Sequence, residues 1–360
     1  MFILSERKLK IVEYDRNTIK TPNVHMKSPQ NPNNGTLSFS SLKLNIAIGR
    51  CILSKDLTNL DLLFEASSSF MRYQTIINSS NLNLRLNKQN FELLRDFSRY
   101  SRIGELAQGV TYLFSQEYLN YPIVIDFKGF LKSKNKNAII QGKTPDFILQ
   151  KKSNFNYSLI ESKGHYVSSS NSTKGVLRDA LKQCKDGRSN INSALKNYNC
   201  NKSFGVCLKL QNEQAAKNSK IQYVDPNFEK IKNDKINLET IRYHYASWFL
   251  LMGNINIYNK LLGSQYIDKE DINFGSKKKI NDRYYQMFNF FPPSNFLLNF
   301  YCFPSSRHKI NKYGILMDVL ELLMGEKDNF TYKTIKNIQD YESENYDIFG
   351  DGTIIESRMF

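Results

Sequence analysis

In the middle third of the chain, apolar residues fall into short runs broken by Gly, Pro and Asn; beyond about residue 215 helical spacings dominate. Phe147-Ile148-Leu149 and Tyr157-Ser158-Leu159-Ile160 read as two strands, with residues 151–156 as the turn between them. Tyr121 to Asp126 and Ser203 to Leu210 read as further strands. Leu42, Leu44, Ile46 and Ile48 alternate within residues 37–53, which predicts one or two strands there. From about Asn87 the period becomes helical: Phe91, Leu94 and Phe97 share a face. Leu106, Val110 and Leu113 continue it in a segment running to about Tyr118. Gly175 to Gln183 predicts another helix. Residues 239–262 carry a broad helical apolar face (Ile241, Tyr245, Trp248, Phe249, Met252), and residues 315–324 a shorter one, ahead of an acidic tail. Asn31 to Gly35, Lys132 to Lys136 and Ser276 to Lys279 read as turns. His244 and Trp248, four apart on one helix, are expected to pack in the core.

These elements predict an α/β protein. Three regions follow from the change of pattern: an N-terminal accessory region over 1–95, a central unit over 96–215, and a mainly helical region over 216–360. There is no internal repeat, heptad array or nucleotide-binding glycine loop, which argues against an ATP-driven activity.

The two central strands carry the candidate chemistry. Thr144-Pro145-Asp146 enters the first, and Glu161-Ser162-Lys163-Gly164 leaves the second. Period-2 alternation turns Glu161 and Lys163 to one face, with Asp146 on the neighbouring strand end. Two carboxylates suit a hard divalent cation, which acidifies a bound water and offsets charge on a phosphate. An ammonium beside that water orients it or lowers its pKa.

Those residues resemble the PD-(D/E)XK nuclease superfamily: Pro145-Asp146, then Glu161-Ser162-Lys163 after an apolar hairpin. The resemblance covers residues 100–210. It implies a restriction-endonuclease-like core, a small mixed sheet flanked by helices, with N- and C-terminal additions. It also implies a Mg2+-dependent endonuclease, with Mn2+ able to substitute. Asp146 and Glu161 would ligate metal, the Ser162 carbonyl would add a ligand, and Lys163 would position the water. Glu105, in the helix opened by Arg102-Ile103-Gly104-Glu105, would support the metal. Arg178, Lys182 and Gln183, on the helix after the second strand, would lie near phosphate. Ser170, in the run 168–173 rich in helix-capping residues, is a further phosphate candidate. Asp126-Phe127-Lys128 is a rival D-x-K without a preceding P-D strand; it ranks second, with outer-shell and surface roles open for Asp126.

Charge agrees with a polyanionic partner. The chain carries a formal net charge of +16, and residues 127–235 hold about 21 Lys and Arg against 8 Asp and Glu. The expected substrate is nucleic acid, double-stranded DNA foremost, in a restriction-like or phage-defence setting; a second copy of the chain or a defence-complex partner is also open. Five cysteines without C-x-x-C spacing argue for a reducing compartment and against structural zinc. No signal-peptide pattern opens the chain, and its longest apolar stretch, residues 245–252, is too short for a bilayer, so a cytoplasmic location without membrane is expected. The alternatives are a catalytically inactive nucleic-acid-binding protein and a basic subunit of a larger complex.

Overall fold

Strand β1 (Glu6–Glu13) buries every second residue (Arg7, Leu9, Ile11 and Glu13) and leaves Lys8 and Lys10 on its other face. It anchors one half of a seven-stranded sheet in a computed structural model. The structure describes residues 6–20, 26–52, 68, 72–73, 75–135, 140, 142–151, 156–166, 173–194, 199–225, 238–272, 275–289, 308–326 and 346–359. The other strands are β2 (Gly35–Ser40), β3 (Ile123–Asp126), β4 (Phe147–Gln150), β5 (Asn156–Tyr166), β6 (Asn199–Leu210) and β7 (Lys220–Val224). They run in the order β2-β1-β7-β6-β5-β4-β3. Strands β3, β4 and β5 form an antiparallel meander, while β5 and β6 are parallel and joined by helix α6 (Thr173–Ala194).

Helices cover both faces. On one lies α4 (Asp96–Leu113), continued by a π-turn over Phe114–Tyr118, and against it α2 (Ser41–Ile52). On the other, α6 packs over β5 and β6, and α1 (Arg16–Lys20) packs beside α6. Ile19 of α1, Leu177 of α6, Cys207 of β6 and Val224 of β7 make a small apolar cluster there. Helices α3 (Lys88–Glu92) and α5 (Phe127–Lys134) are short connectors.

A second, antiparallel sheet has the order β11-β12-β10-β9-β8. Its strands are β8 (Ser276–Ile280), β9 (Arg283–Asn289), β10 (His308–Leu316), β11 (Tyr346–Ile348) and β12 (Thr353–Met359). Helices α7 (Leu238–Leu251), α8 (Ile255–Leu262), α9 (Lys269–Ile272) and α10 (Met317–Leu323) complete the described chain. Trp248 of α7 meets Tyr313 and Phe349 edge-on, and residues of both sheets share one hydrophobic cluster. Buried ionic groups reinforce that junction. Asp351 accepts from Arg50 Nη1 of α2 at 2.6 Å and lies 2.8 Å from His244 Nε2 of α7. Burial, then the Arg50 charge, holds the His244 pKa below its ordinary value, so this histidine is a core group, as its helical spacing predicts.

Several expectations are corrected. The sheet is larger than a small nuclease core: beyond β6 it continues through β7, β1 and β2. Leu42, Leu44, Ile46 and Ile48 lie on helix α2, not on strands; α2 is buried on nearly all sides, so it has no polar face to mark its period. Phe91 and Phe97 belong to separate helices, the former buried and the latter exposed. Lys132 and Lys134 end helix α5, and Lys277 to Lys279 form edge strand β8. Among the described residues after 215, strand is as common as helix, and the end of the acidic tail is strand β12. No helix among the described residues is long and apolar enough to cross a membrane.

Candidate functional site

Strand β4 pairs with β5 only from Phe147 opposite Ile160 onward, so β5 runs on past the end of β4. Asp146 stands where β4 ends, and Glu161, Ser162 and Lys163 occupy the projecting edge beside it. The Asp146 amide donates to Glu161 Oε2 at 2.9 Å, and the Ser162 amide donates to Asp146 Oδ2 at 2.9 Å. The Asp146 carbonyl accepts from Phe127 N at 3.0 Å. Main-chain and side-chain groups of Asp146 are thus all engaged, which fixes its rotamer.

The supporting helices pack closely. A Cβ on Gly164 would lie 2.4 Å from the Ile103 carbonyl of α4, so glycine lets that helix settle on the β5 edge. Thr111 Oγ1 and Ser162 Oγ hydrogen-bond at 2.9 Å across the same contact. On the other face, a Cβ on Gly187 of α6 would lie 2.3 Å from Pro145 Cδ. The hairpin end carrying the carboxylates is held between two helices.

Lys163 Nζ lies 2.5 Å from Glu161 Oε1; Glu161 is buried, whereas the Lys163 side chain keeps 29% of its surface exposed. Burial first, then the Asp146 charge, pushes the Glu161 carboxyl up to about 8, although Lys163 and the Asp146 amide pull it down. Burial also raises Asp146, opposed by its bonds from Ser162 and Gln108. Two acidic groups with raised affinity for protons therefore stand side by side.

Gln108 is the residue that sequence reasoning missed. Its Nε2 donates to Asp146 Oδ1 at 2.9 Å from helix α4. It lies three residues after Glu105, one turn along the same helix face, which is the only signal the sequence held. Glu105 itself is turned elsewhere: it accepts from Tyr73 OH, from Ser101 Oγ at 3.0 Å, and from Arg102 Nη1 at 3.5 Å. Among the described residues, no three His, Cys, Asp or Glu side chains converge as a metal cluster.

Asp126 of the rival D-x-K is the N-cap of α5 and accepts from Gly129 N. Burial raises its carboxyl to about 6, with Asp146 adding to the effect. Arg178 Nε donates to the Ile19 carbonyl at 3.2 Å and so ties α6 to α1. Lys182 is exposed, but Gln183 is buried, off the solvent face where a phosphate would lie. Ser170 lies outside the described residues.

No protein-family model, curated protein or solved structure matches this chain.

Proposed function

We propose that Asp146, Glu161 and Lys163 form the site of a Mg2+-dependent endonuclease acting on nucleic acid, with DNA as substrate and Mn2+ able to replace Mg2+. The observation that carries this reading is the mutual clasp of Asp146 and Glu161 beside Lys163, with both carboxyl pKa values raised. Crowded, buried carboxylates are short of positive charge, and a dication at that edge would supply it. The donor set is hard oxygen, as Mg2+ prefers. In an extended strand a residue's N–H and C=O point to the same side, and Ser162 N–H points at Asp146. The Ser162 carbonyl therefore faces the same edge and fits as an added ligand. When bound, the metal would acidify a water and offset charge on the scissile phosphate. This chain's own part is to hold Asp146 through Gln108 and Ser162, and to keep the Lys163 ammonium at the solvent side of Glu161, where it can orient the attacking water. The restriction-like or phage-defence setting rests on the sequence resemblance alone.

A second reading, nucleic-acid binding without cleavage, is favoured by two details: Lys163 is closed onto Glu161, and Glu105 is held by Tyr73, Ser101 and Arg102. Plasmid nicking by purified protein, with Mg2+ and with EDTA, separates the two.

A further inference from the structure

A groove of about 660 Å³ crosses β1, β7 and β6 on the face of the sheet that α6 and α1 partly cover. Lys8, Lys10, Lys209, Lys217 and Lys220 line it, and no acidic residue does. Lys209 stands opposite Lys220, and Lys220 opposite Lys10, so three ammonium groups form a row on one face. Like charges directly opposed on neighbouring strands cost stability. Nothing nearby relieves them: Lys8 pairs with Glu6 at 3.3 Å, whereas Lys10, Lys209, Lys217 and Lys220 have no carboxylate partner among the described residues. Burial first, and then Lys209, Lys10 and Lys217, lower the Lys220 pKa.

The row leads to the candidate site. His165 stands opposite Lys209, and Lys163 lies two residues before His165, on the same face of β5. At about 4.8 Å per strand, the track from β5 to β1 spans roughly 14 Å.

The walls of the groove are fixed in advance. Asn83 donates to the carbonyls of Lys8 at 3.0 Å and Ser219 at 3.1 Å, and accepts from Ser219 N at 2.8 Å. Arg85 donates to the carbonyls of Glu213 at 3.1 Å and Ala215 at 2.8 Å, which pins the loop bearing Lys217. A ligand therefore meets a formed surface and orders little on binding.

The geometry points to this groove as the seat of the phosphodiester backbone of a nucleic-acid strand, held by Lys10, Lys209 and Lys220. Cations repeating from strand to strand suit a linear polyanion better than a single phosphate. Lys209 and Lys220 are half-buried, recessed from a flat lipid surface. This inference deepens the nuclease reading and rests on it only for what becomes of the strand once bound.

The test is fluorescence anisotropy of a labelled DNA oligonucleotide in EDTA across a salt series. The triple variant Lys10→Gln, Lys209→Gln, Lys220→Gln is compared with a control, Lys269→Gln, Lys277→Gln, Lys279→Gln, of equal net charge. The groove variant should bind at least about tenfold more weakly, with a log–log salt slope shallower by about 2–3. The corresponding arginine triple should bind like wild type. Should the glutamine triple fail to fold, Lys10→Gln with Lys217→Gln, both on exposed positions, should show a smaller loss in the same direction. Equal losses in groove and control variants, unchanged binding in the groove variants, or binding to phosphatidylserine vesicles but not to oligonucleotide would each overturn the inference. Nicking with Mg2+ is scored separately. Groove-dependent binding without nicking overturns cleavage alone, and nicking with groove-independent binding overturns the groove alone.

Discussion

Asp146 and Glu161 are joined by a hydrogen bond from the amide of the first to the carboxylate of the second, 2.9 Å long, just beyond the paired residues of strands β4 and β5. Burial of Glu161 first, and the Asp146 charge beside it second, raise its proton affinity, while this bond and Lys163 oppose the rise. That relationship yields a pH signature. The folded-state pKa of Glu161, about 8, lies above its ordinary 4.5. Its contribution to stability is therefore fully present below about 4.5 and is lost as pH rises through about 8. Glu161→Gln should stabilise the metal-free protein on the alkaline side by roughly 2–4 kcal/mol and leave the acid side nearly unchanged. Urea unfolding in EDTA at both ends of the range checks this; an equal shift at both ends would contradict it.

Gln108 acts on Asp146 from outside the carboxylate pair. Gln108→Ala should leave the fold intact and raise the Mg2+ concentration needed for half-maximal nicking by roughly 10–100-fold. An unchanged metal requirement, with wild-type rates, would show that this hydrogen bond does not matter to the site.

Gly164→Ala should reach activity through the scaffold. The new Cβ meets the Ile103 carbonyl, so α4 must lift away from β5, at a cost of about 1–3 kcal/mol. Because Gln108 rides on α4, nicking should fall with stability. A variant as stable and active as wild type would mean that the helix contact is looser than described.

The buried Arg50–Asp351 pair, 2.6 Å apart, tests the junction of the two sheets. Asp351→Asn leaves the Arg50 charge without its partner and should destabilise the protein by about 3–5 kcal/mol. Denaturant unfolding measures it; a loss below about 1 kcal/mol would place the pair outside the structural core.

The parts of the fold legible in the sequence were those set by local pattern. Phe147–Gln150 and residues 157–160 are short apolar runs between turn residues, and they form β4 and β5 where expected. The helix over Gly175 to Gln183 is the first half of α6. What was hidden depends on partners far away in sequence. Helix α2 is buried on nearly all sides, so its Leu42, Leu44, Ile46 and Ile48 imitate a strand. Strand β1 pairs with β7 some two hundred residues on, and β10 pairs with β12 across a long excursion; neither leaves a local trace. At the site, residue types and spacing pointed to Asp146, Glu161 and Lys163. They could not show that Gln108, rather than Glu105, reaches Asp146, because both lie on one face of α4 and only packing against β5 separates them.

The central claim is tested most directly by nicking of supercoiled plasmid by purified wild-type, Asp146→Ala, Glu161→Ala and Lys163→Ala proteins, with Mg2+ or with EDTA. The account predicts nicking by wild type with Mg2+, none in EDTA, and none by any variant, while Asp146→Ala still binds DNA. Undiminished nicking in EDTA, or by the Asp146→Ala and Glu161→Ala proteins, would contradict it.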